Sequence, residues 1–182
     1  SPVLGDFLGT TDNQPLELRV NGKRALRLEP GSLSPNVIGG HAGNMVSNGV
    51  FGATIGGGGN SGYPNRVGAS YATVVGGEGN TASGSDATAM GFVTTASGHF
   101  STAMGLYTRA MGERSTAMGD GTIASGFVST AMGFSTTASG EASTAMGRST
   151  TASGTNAFAA GRRAKAIHEG AFVWADSQDA DF

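Results

Sequence analysis

Small polar and apolar residues alternate along most of this chain with a period of seven. From Gly77 to Gly161 a glycine recurs every seven residues, and an alanine stands two places before each glycine from Gly84 onward. A period of seven is typical of a coiled coil, but each glycine costs a helix about 1 kcal/mol, and threonine is a poor helix former. Short threonine-rich runs that end at glycine instead predict strands with a turn at each glycine.

The full repeat is fourteen residues long, because two kinds of heptad alternate. One kind carries methionine before its glycine, and the interleaved kind carries mostly serine there. A coil of fourteen residues with two short strands accounts for this alternation. Stacked coils of this kind predict an all-β fold, a parallel β-roll in which each coil covers the backbone groups of its neighbours. We expect glycine at each corner to permit the tight bend.

Alternation along a strand assigns the side chains to the two faces of each predicted sheet. Arg109 and Lys165 occupy the fourth position of their heptads, and charged side chains are not buried unpaired inside a narrow roll. Positions three and five therefore point inward, which predicts that Ala103, Ala117 and Ala131 are inaccessible to solvent. In the alternative arrangement methionine fills the interior, and Arg109 and Lys165 would be buried with it.

The methionine-containing heptads then place an apolar stripe on the outside of the roll. A roll whose interior holds only small side chains has a small apolar core. An exposed apolar stripe of this length is expected to be buried against another protein surface. Copies of the same stripe around a symmetry axis provide the simplest cover. The residues predicted to form this interface between chains are Met90, Met104, Met118, Met132 and Met146.

The serine-containing heptads present a face of short hydroxyl groups with occasional long side chains. This face suits an extended, repetitive partner such as a fibrous protein or a glycan, and several copies would bind it with avidity. The candidate partner-binding residues are Thr95, Arg109, Thr137, Thr151 and Lys165. Flat ranks of threonine are also found in ice-binding solenoids, although Arg109, Ile123 and Lys165 interrupt the rank here.

The pattern divides the chain into three regions. Residues 1–30 form a lead-in, residues 31–170 form the roll, and residues 171–182 form a cap or the start of a connector. Within the roll, the coils are loose over 31–76 and strictly repeated over 77–161.

Two flanking patterns carry further expectations. In the lead-in, Asn21-Gly22 separates two runs of alternating polar and apolar residues, which is a strong hairpin signal. In the loose coils, valine and isoleucine are expected to take the place of methionine.

Composition narrows the classes of function. Glycine makes up 32 of the 182 residues, charged residues are 13%, and the formal net charge is -2. No broad basic field exists for nucleic acid, and no apolar stretch or leader indicates a membrane span or a signal peptide in this segment. Cysteine is absent and the three histidines are far apart in sequence. We therefore expect no enzyme activity, no cofactor and no metal site.

Asparagine marks several turns of the loose coils. Asn44, Asn60 and Asn80 follow glycine-rich runs at places where calcium-binding β-rolls carry aspartate. Because the carboxylate ligands are missing, a calcium site is not predicted.

Ser-Thr-Ala-Met-Gly alternating with Thr-Thr-Ala-Ser-Gly resembles the YadA-like head repeats of trimeric autotransporter adhesins. The resemblance implies a left-handed parallel β-roll, three chains side by side, and display on a bacterial surface. The segments around Leu16–Val20 and Phe-Val-Trp-Ala-Asp-Ser are similar to bacterial or phage-like fibre proteins in which such a head precedes a self-cleaving chaperone tail. The resemblance thus implies a non-enzymatic head that mediates adhesion. The alternatives are an ice-binding solenoid and a purely structural spacer in a fibre.

Overall fold

The computed structural model describes residues 8–176, and every regular element in this range is a β-strand. The first seven residues of the predicted lead-in and residues 177–182 of the predicted cap lie outside the described residues. Between residues 8 and 176 no helix is long and apolar enough to cross a membrane. The strands are β1 (Leu16–Val20), β2 (Lys23–Glu29), β3 (Asn36–Gly39), β4 (Met45–Val46), β5 (Thr54–Ile55), β6 (Arg66–Val67), β7 (Thr73–Glu78), β8 (Thr81–Ala82), β9 (Thr88–Phe92), β10 (Thr95–Ala96), β11 (Thr102–Leu106), β12 (Arg109–Ala110), β13 (Thr116–Asp120), β14 (Ile123–Ala124), β15 (Thr130–Phe134), β16 (Thr137–Ala138), β17 (Thr144–Arg148), β18 (Thr151–Ala152), β19 (Phe158–Arg162), β20 (Lys165–Ala166) and β21 (Phe172–Ala175).

The strands form two sheets, and the chain passes from one to the other in every coil. The twelve-stranded sheet contains β1, β2 and the odd-numbered strands from β3 to β21, and we call it the long-strand sheet. The nine-stranded sheet contains the even-numbered strands from β4 to β20, and we call it the short-strand sheet. From β3 onward all neighbouring strands pair in parallel within each sheet. The fold is a parallel β-solenoid of coils of about fourteen residues, which confirms the predicted β-roll.

Identical residues of successive coils lie side by side. Met104 pairs with Met90 on one side and with Met118 on the other, and Gly105 pairs with Gly119 in the same register. Because parallel neighbours are about 4.8 Å apart, each position of the repeat becomes a straight column along the roll. We call the column of Met90, Met104, Met118, Met132 and Met146 the methionine column.

The predicted hairpin is present at the N-terminal end of the roll. Strands β1 and β2 pair antiparallel, and Asn21 and Gly22 between them have φ of 49° and 72°, as a tight hairpin turn requires. Strand β2 then pairs antiparallel with β3, so the hairpin covers the first edge of the long-strand sheet.

The interior of the strict coils is built from small side chains. Ala103, Ala117 and Ala131 are at most 1% exposed, which confirms the predicted inward positions. Arg109 and Lys165 are exposed, so the arrangement with methionine inside is wrong. A narrow interior of this kind buries little apolar area per coil, and much of the stability must come from the hydrogen bonds that join the coils.

The valine and isoleucine side chains of the loose coils do not all lie where the sequence predicts. Ile38, Ile55 and Val74 do not take the place of methionine, because Ile38 pairs with Ile55, Ile55 with Val74, and Val74 with Ala89. They therefore belong to the inward alanine column and are fully buried. The roll has larger core side chains at its N-terminal end than in the strict repeat.

Glycine is needed for the stacking of coils more than for bending. A Cβ added at Gly126 would overlap the carbonyl oxygen of Gly140 in the next coil, and one added at Gly119 would overlap that of Gly133. Gly119 has a φ of 119° and Gly126 has no positive φ, whereas Val128 at the following corner has a φ of 56°. The expectation that each glycine permits the bend is thus wrong for the serine-containing heptads, in which other residues adopt the left-handed conformation.

The roll continues beyond the point where the sequence rhythm breaks. His168 stands where the repeat has glycine, yet β21 pairs with β19 in register, with Phe158 beside Phe172 and Ala160 beside Trp174. Residues Phe172–Ala175 therefore add one more strand to the long-strand sheet.

Overpacking the thin interior should destabilise the roll. We expect Ala117→Leu to lower the free energy of unfolding by about 1–3 kcal/mol, because the larger side chain has no space between the sheets. Urea denaturation followed by circular dichroism measures the change. Ser125→Leu, at an exposed position of the same coil region, is the control and should alter stability little. Equal stability of Ala117→Leu and the parent would contradict the inward assignment.

Candidate functional site

The outward face of the long-strand sheet carries two parallel columns. The first is the methionine column, and the second, two residues earlier in each strand, contains Thr88, Thr102, Thr116, Thr130 and Thr144. The methionines are half-buried by their neighbours in the column, and Met146 at its C-terminal end is 37% exposed. The structure thus brings all five predicted interface residues together in one line on the surface.

The threonine and methionine columns are themselves uncharged. From residue 88 to residue 174 their side chains are Thr88, Met90, Thr102, Met104, Thr116, Met118, Thr130, Met132, Thr144, Met146, Phe158, Ala160, Phe172 and Trp174. The column two residues after the methionines is mixed, and contains Asp120, Arg148 and Arg162 at the ends of the strands. An apolar line bordered by threonine, with charged residues at its edge, has the composition of a buried interface.

The outward face of the short-strand sheet brings together the predicted partner-binding residues. Their strands pair in register, so Thr95, Arg109, Ile123, Thr137, Thr151 and Lys165 follow one another in a single column. Arg109 and Lys165 are exposed, and the threonines are half-buried. This column therefore contains cationic groups, which the threonine and methionine columns of the long-strand sheet lack.

Two members of this column were missed by the sequence reasoning. Strand pairing places Arg66 beside Thr81 and Met45 beside Arg66, and Arg66 Nη1 lies 2.9 Å from Met45 Sδ. The longer turns of the loose coils hide this register in the sequence. The sequence nevertheless contains one sign of this register, because an asparagine precedes both Arg66-Val67 and Thr81-Ala82.

The corners of the roll carry stacked aromatic and arginine side chains. The Arg114 guanidinium carbon lies 5.7 Å from the ring centroid of Phe100 and 5.4 Å from that of Phe127. These are cation–π distances, and they join three successive coils. Arg148 makes a similar contact with Phe134 at 5.5 Å. The corner side chains thus hold neighbouring coils together on the outside of the roll.

A ladder of buried asparagines occupies the inward corner of the loose coils. The side-chain NH₂ of Asn65 donates to the carbonyls of Gly57 and Gly77 at 3.0 and 2.9 Å. Asn65 N–H donates to Asn44 Oδ1, and Asn80 N–H donates to Asn65 Oδ1, both at 2.9 Å. The ladder thus contains Asn44, Asn65 and Asn80, and Asn60 lies outside it.

The ladder leaves these amides committed to the backbone. Each side-chain oxygen accepts from the next coil, and each NH₂ group bridges two carbonyls. In the part of the chain that the structure describes, no group of three His, Asp or Glu side chains is arranged to hold a metal ion. The asparagines are therefore structural connectors between coils.

A surface groove of about 850 Å³ lies beside the N-terminal hairpin. Two of its basic side chains are engaged within the chain. Arg24 Nη2 donates to the carbonyls of His41 and Asn44 at 3.0 and 2.9 Å. Arg19 donates to Glu17 at 2.7 Å, and this hydrogen bond lowers the pKa of the Glu17 carboxyl. These contacts fasten the hairpin and the first turn of the roll.

Comparison with protein families agrees with the geometry of the coils. A family model described as the YadA head domain repeat, containing two copies of the repeat, matches residues 82–108, 110–133, 124–150 and 138–164. The last three matches begin fourteen residues apart, which is one coil of the solenoid. Residues 82–164 are thus similar to YadA head repeats, which supports a YadA-like head. A search of curated proteins gave no match to the chain.

The family match bears on the class of the protein. YadA heads belong to bacterial surface adhesins, a family without enzymatic activity. The matched residues include the whole methionine column and Thr95, Thr137 and Thr151 of the predicted partner-binding column, whereas Arg109 and Lys165 lie just outside the matches. The hairpin, the asparagine ladder and β21 flank the matched residues.

Breaking the asparagine ladder should unfold the loose coils. We expect Asn65→Ala to cost about 2–4 kcal/mol of stability, because two carbonyls and one buried N–H lose their partner. Thermal denaturation measures the change. Asn48→Ala, at an exposed position of the same region, is the control and should leave the melting temperature nearly unchanged. If the two variants melt alike, the ladder does not stabilise the fold.

Proposed function

We propose that this chain is the head of a trimeric, non-enzymatic adhesin displayed on a bacterial surface or in a phage-like fibre. Three left-handed rolls stand side by side around a common axis, with the long-strand sheets facing inward and the short-strand sheets facing outward. The proposal combines the similarity to YadA head repeats with the uncharged threonine and methionine columns of the long-strand sheet. These two columns are the observation that carries it.

The contrast between the two outward faces supports this orientation. The methionine column and the threonine column beside it run through five successive coils without a charged member, and burying these two columns costs little desolvation. The other face carries Arg66, Arg109 and Lys165, whose burial would cost more. Three-fold association through the same surface of each chain would bury the methionine columns and leave the cationic columns exposed to solvent.

The outward column of the short-strand sheet is the proposed site of adhesion. Thr95, Thr137 and Thr151 supply hydroxyl groups at intervals along the roll, and Arg109 and Lys165 supply cations that recognise carboxylate or sulfate groups. An extended protein or glycan could contact several coils of one chain, and three chains would multiply weak contacts into avidity.

An ice-binding function has less support than adhesion. The cationic Arg109 and Lys165 and the bulky Ile123 interrupt the threonine column, so its hydroxyl groups do not form an unbroken flat lattice. A purely structural spacer would share the trimer but would bind no external partner, and the second experiment below separates it from an adhesin.

A charge in the methionine column should dissociate the assembly. We expect the parent chain to sediment as a trimer at micromolar concentration and Met118→Lys to sediment as a folded species of about 18 kDa, since three ammonium groups would meet at the axis. Met111→Lys is the matched control, because Met111 is 43% exposed in the serine-containing heptads. It should remain trimeric. A monomeric parent would refute the proposed assembly.

Changes in the outer column should weaken adhesion without affecting assembly. We expect Arg109→Ala and Thr137→Arg each to reduce binding to immobilised gelatin or heparin by about tenfold or more, roughly 1.4 kcal/mol. Surface plasmon resonance measures binding, and sedimentation verifies the trimer. Arg163→Ala, at an exposed corner, is the control. Unaltered binding of both variants would place the site elsewhere, and absence of binding by the parent to every probe would favour a spacer.

A further inference from the structure

The repeat pattern of the long-strand sheet ends in an aromatic group. In the last two coils the threonine positions hold Phe158 and Phe172, and the methionine positions hold Ala160 and Trp174. We call these four residues the aromatic end. It continues the threonine and methionine columns of the long-strand sheet directly after Thr144 and Met146.

The aromatic end is packed on one side and open on the other. The Phe158 and Phe172 rings are stacked with centroids 5.0 Å apart and an interplanar angle of 5°. Ala160, although it lies on the outward face, is only 4% exposed between Met146 and Trp174. In contrast, Phe172 is 72% and Trp174 is 69% exposed. The stack fixes the Phe172 ring, whereas the outer surfaces of Phe172 and Trp174 are not covered by any of the residues 8–176.

The position of this exposed surface indicates what covers it. Phe172 and Trp174 continue the same two columns as Thr144 and Met146, and no charged side chain interrupts these columns between residues 73 and 174. If the methionine columns of two chains pack against each other, the aromatic ends of the two chains are brought together as well. Aromatic side chains bury large areas and pair edge to face or offset.

The regular threonine and methionine columns do not by themselves fix the axial register between neighbouring chains, and the aromatic end supplies a signal that does. Coils from Thr88 to Met146 present the same Thr and Met at every step, so a chain displaced along the axis by one coil, about 4.8 Å, would still find matching partners. Register is poorly specified wherever the pattern is uniform. A chain displaced by one coil would set Trp174 against Ala160 of its neighbour instead of against Trp174, and the two tryptophans would no longer meet.

We propose that Phe172 and Trp174 pack against the same residues of the neighbouring copies of this chain and set the axial register of the trimer. This inference rests on the proposed assembly. The occupant of the exposed aromatic surface is a second and a third copy of the chain, and the aromatic end is complete only in the assembly. A displaced assembly would leave part of each stripe uncovered, which invites the addition of further chains.

The first experiment uses the fact that Trp174 is the single tryptophan of the sequence. We expect the emission of the parent trimer to be blue-shifted relative to N-acetyltryptophanamide, and acrylamide to quench it severalfold less efficiently. Sedimentation on the same sample fixes the oligomeric state. A trimer whose tryptophan emits and is quenched like the free analogue would overturn this inference alone. A monomer would overturn both the inference and the assembly on which it rests.

The second experiment removes the register signal while keeping an apolar stripe. A variant in which the aromatic end takes on the residues of the regular coils carries Phe158→Thr, Ala160→Met, Phe172→Thr and Trp174→Met. We expect the parent to sediment as one trimeric species and the variant to give several species, including some larger than a trimer. Ile167→Thr, which removes an exposed apolar side chain after β20, is the control and should give one trimeric species. A variant that forms one trimer as stable as the parent would show that the register is set elsewhere.

Discussion

The structure depends on the close stacking of one coil on the next at the glycine corners. A side chain at Gly119 or Gly126 would overlap the carbonyl oxygen of the following coil, so the backbone of successive coils approaches as closely as parallel strands allow. In the strict coils this contact recurs every fourteen residues, so successive coils keep one constant register. The columns, the two faces and the line of methionines follow from that constant register, because every equivalent side chain is placed directly beside its counterpart.

The interior changes along the roll while the register is maintained. In the loose coils the asparagine ladder and the side chains of Ile38, Ile55 and Val74 fill the space between the sheets. Thr94 continues the asparagine column, with Thr94 N–H and Oγ1–H both donating to Asn80 Oδ1. From Thr94 to residue 166, alanine, serine and threonine fill the interior. The N-terminal coils thus contain large apolar core side chains, whereas the strict coils are joined by hydrogen bonds around an interior of small side chains.

That division of the core explains why the outer faces matter for stability as well as for recognition. A roll with an alanine interior removes little apolar area from water within one chain. Met146, Phe172 and Trp174 are among the exposed large apolar side chains of this part of the chain, together with corner residues such as Phe100 and Phe127. The proposed association through the methionine column and the aromatic end would give the assembly a second core along its axis and leave the cationic column facing outward. Assembly and display of the proposed binding face would then both follow from the difference between these columns.

The sequence by itself determined the fourteen-residue coil, the inward alanines and the outward methionines, because strict periodicity and the charges of Arg109 and Lys165 leave one consistent assignment of faces. It also indicated the hairpin at Asn21-Gly22. Only the tertiary structure decided that Ile38, Ile55 and Val74 belong to the alanine column, since the longer turns of the loose coils hide their register. The alignment of Arg66 with the outer column and of Trp174 with the methionine column was hidden for the same reason. Where the period is interrupted, the hydrogen bonds between strands, and not the spacing of residues, fix which side chains are neighbours.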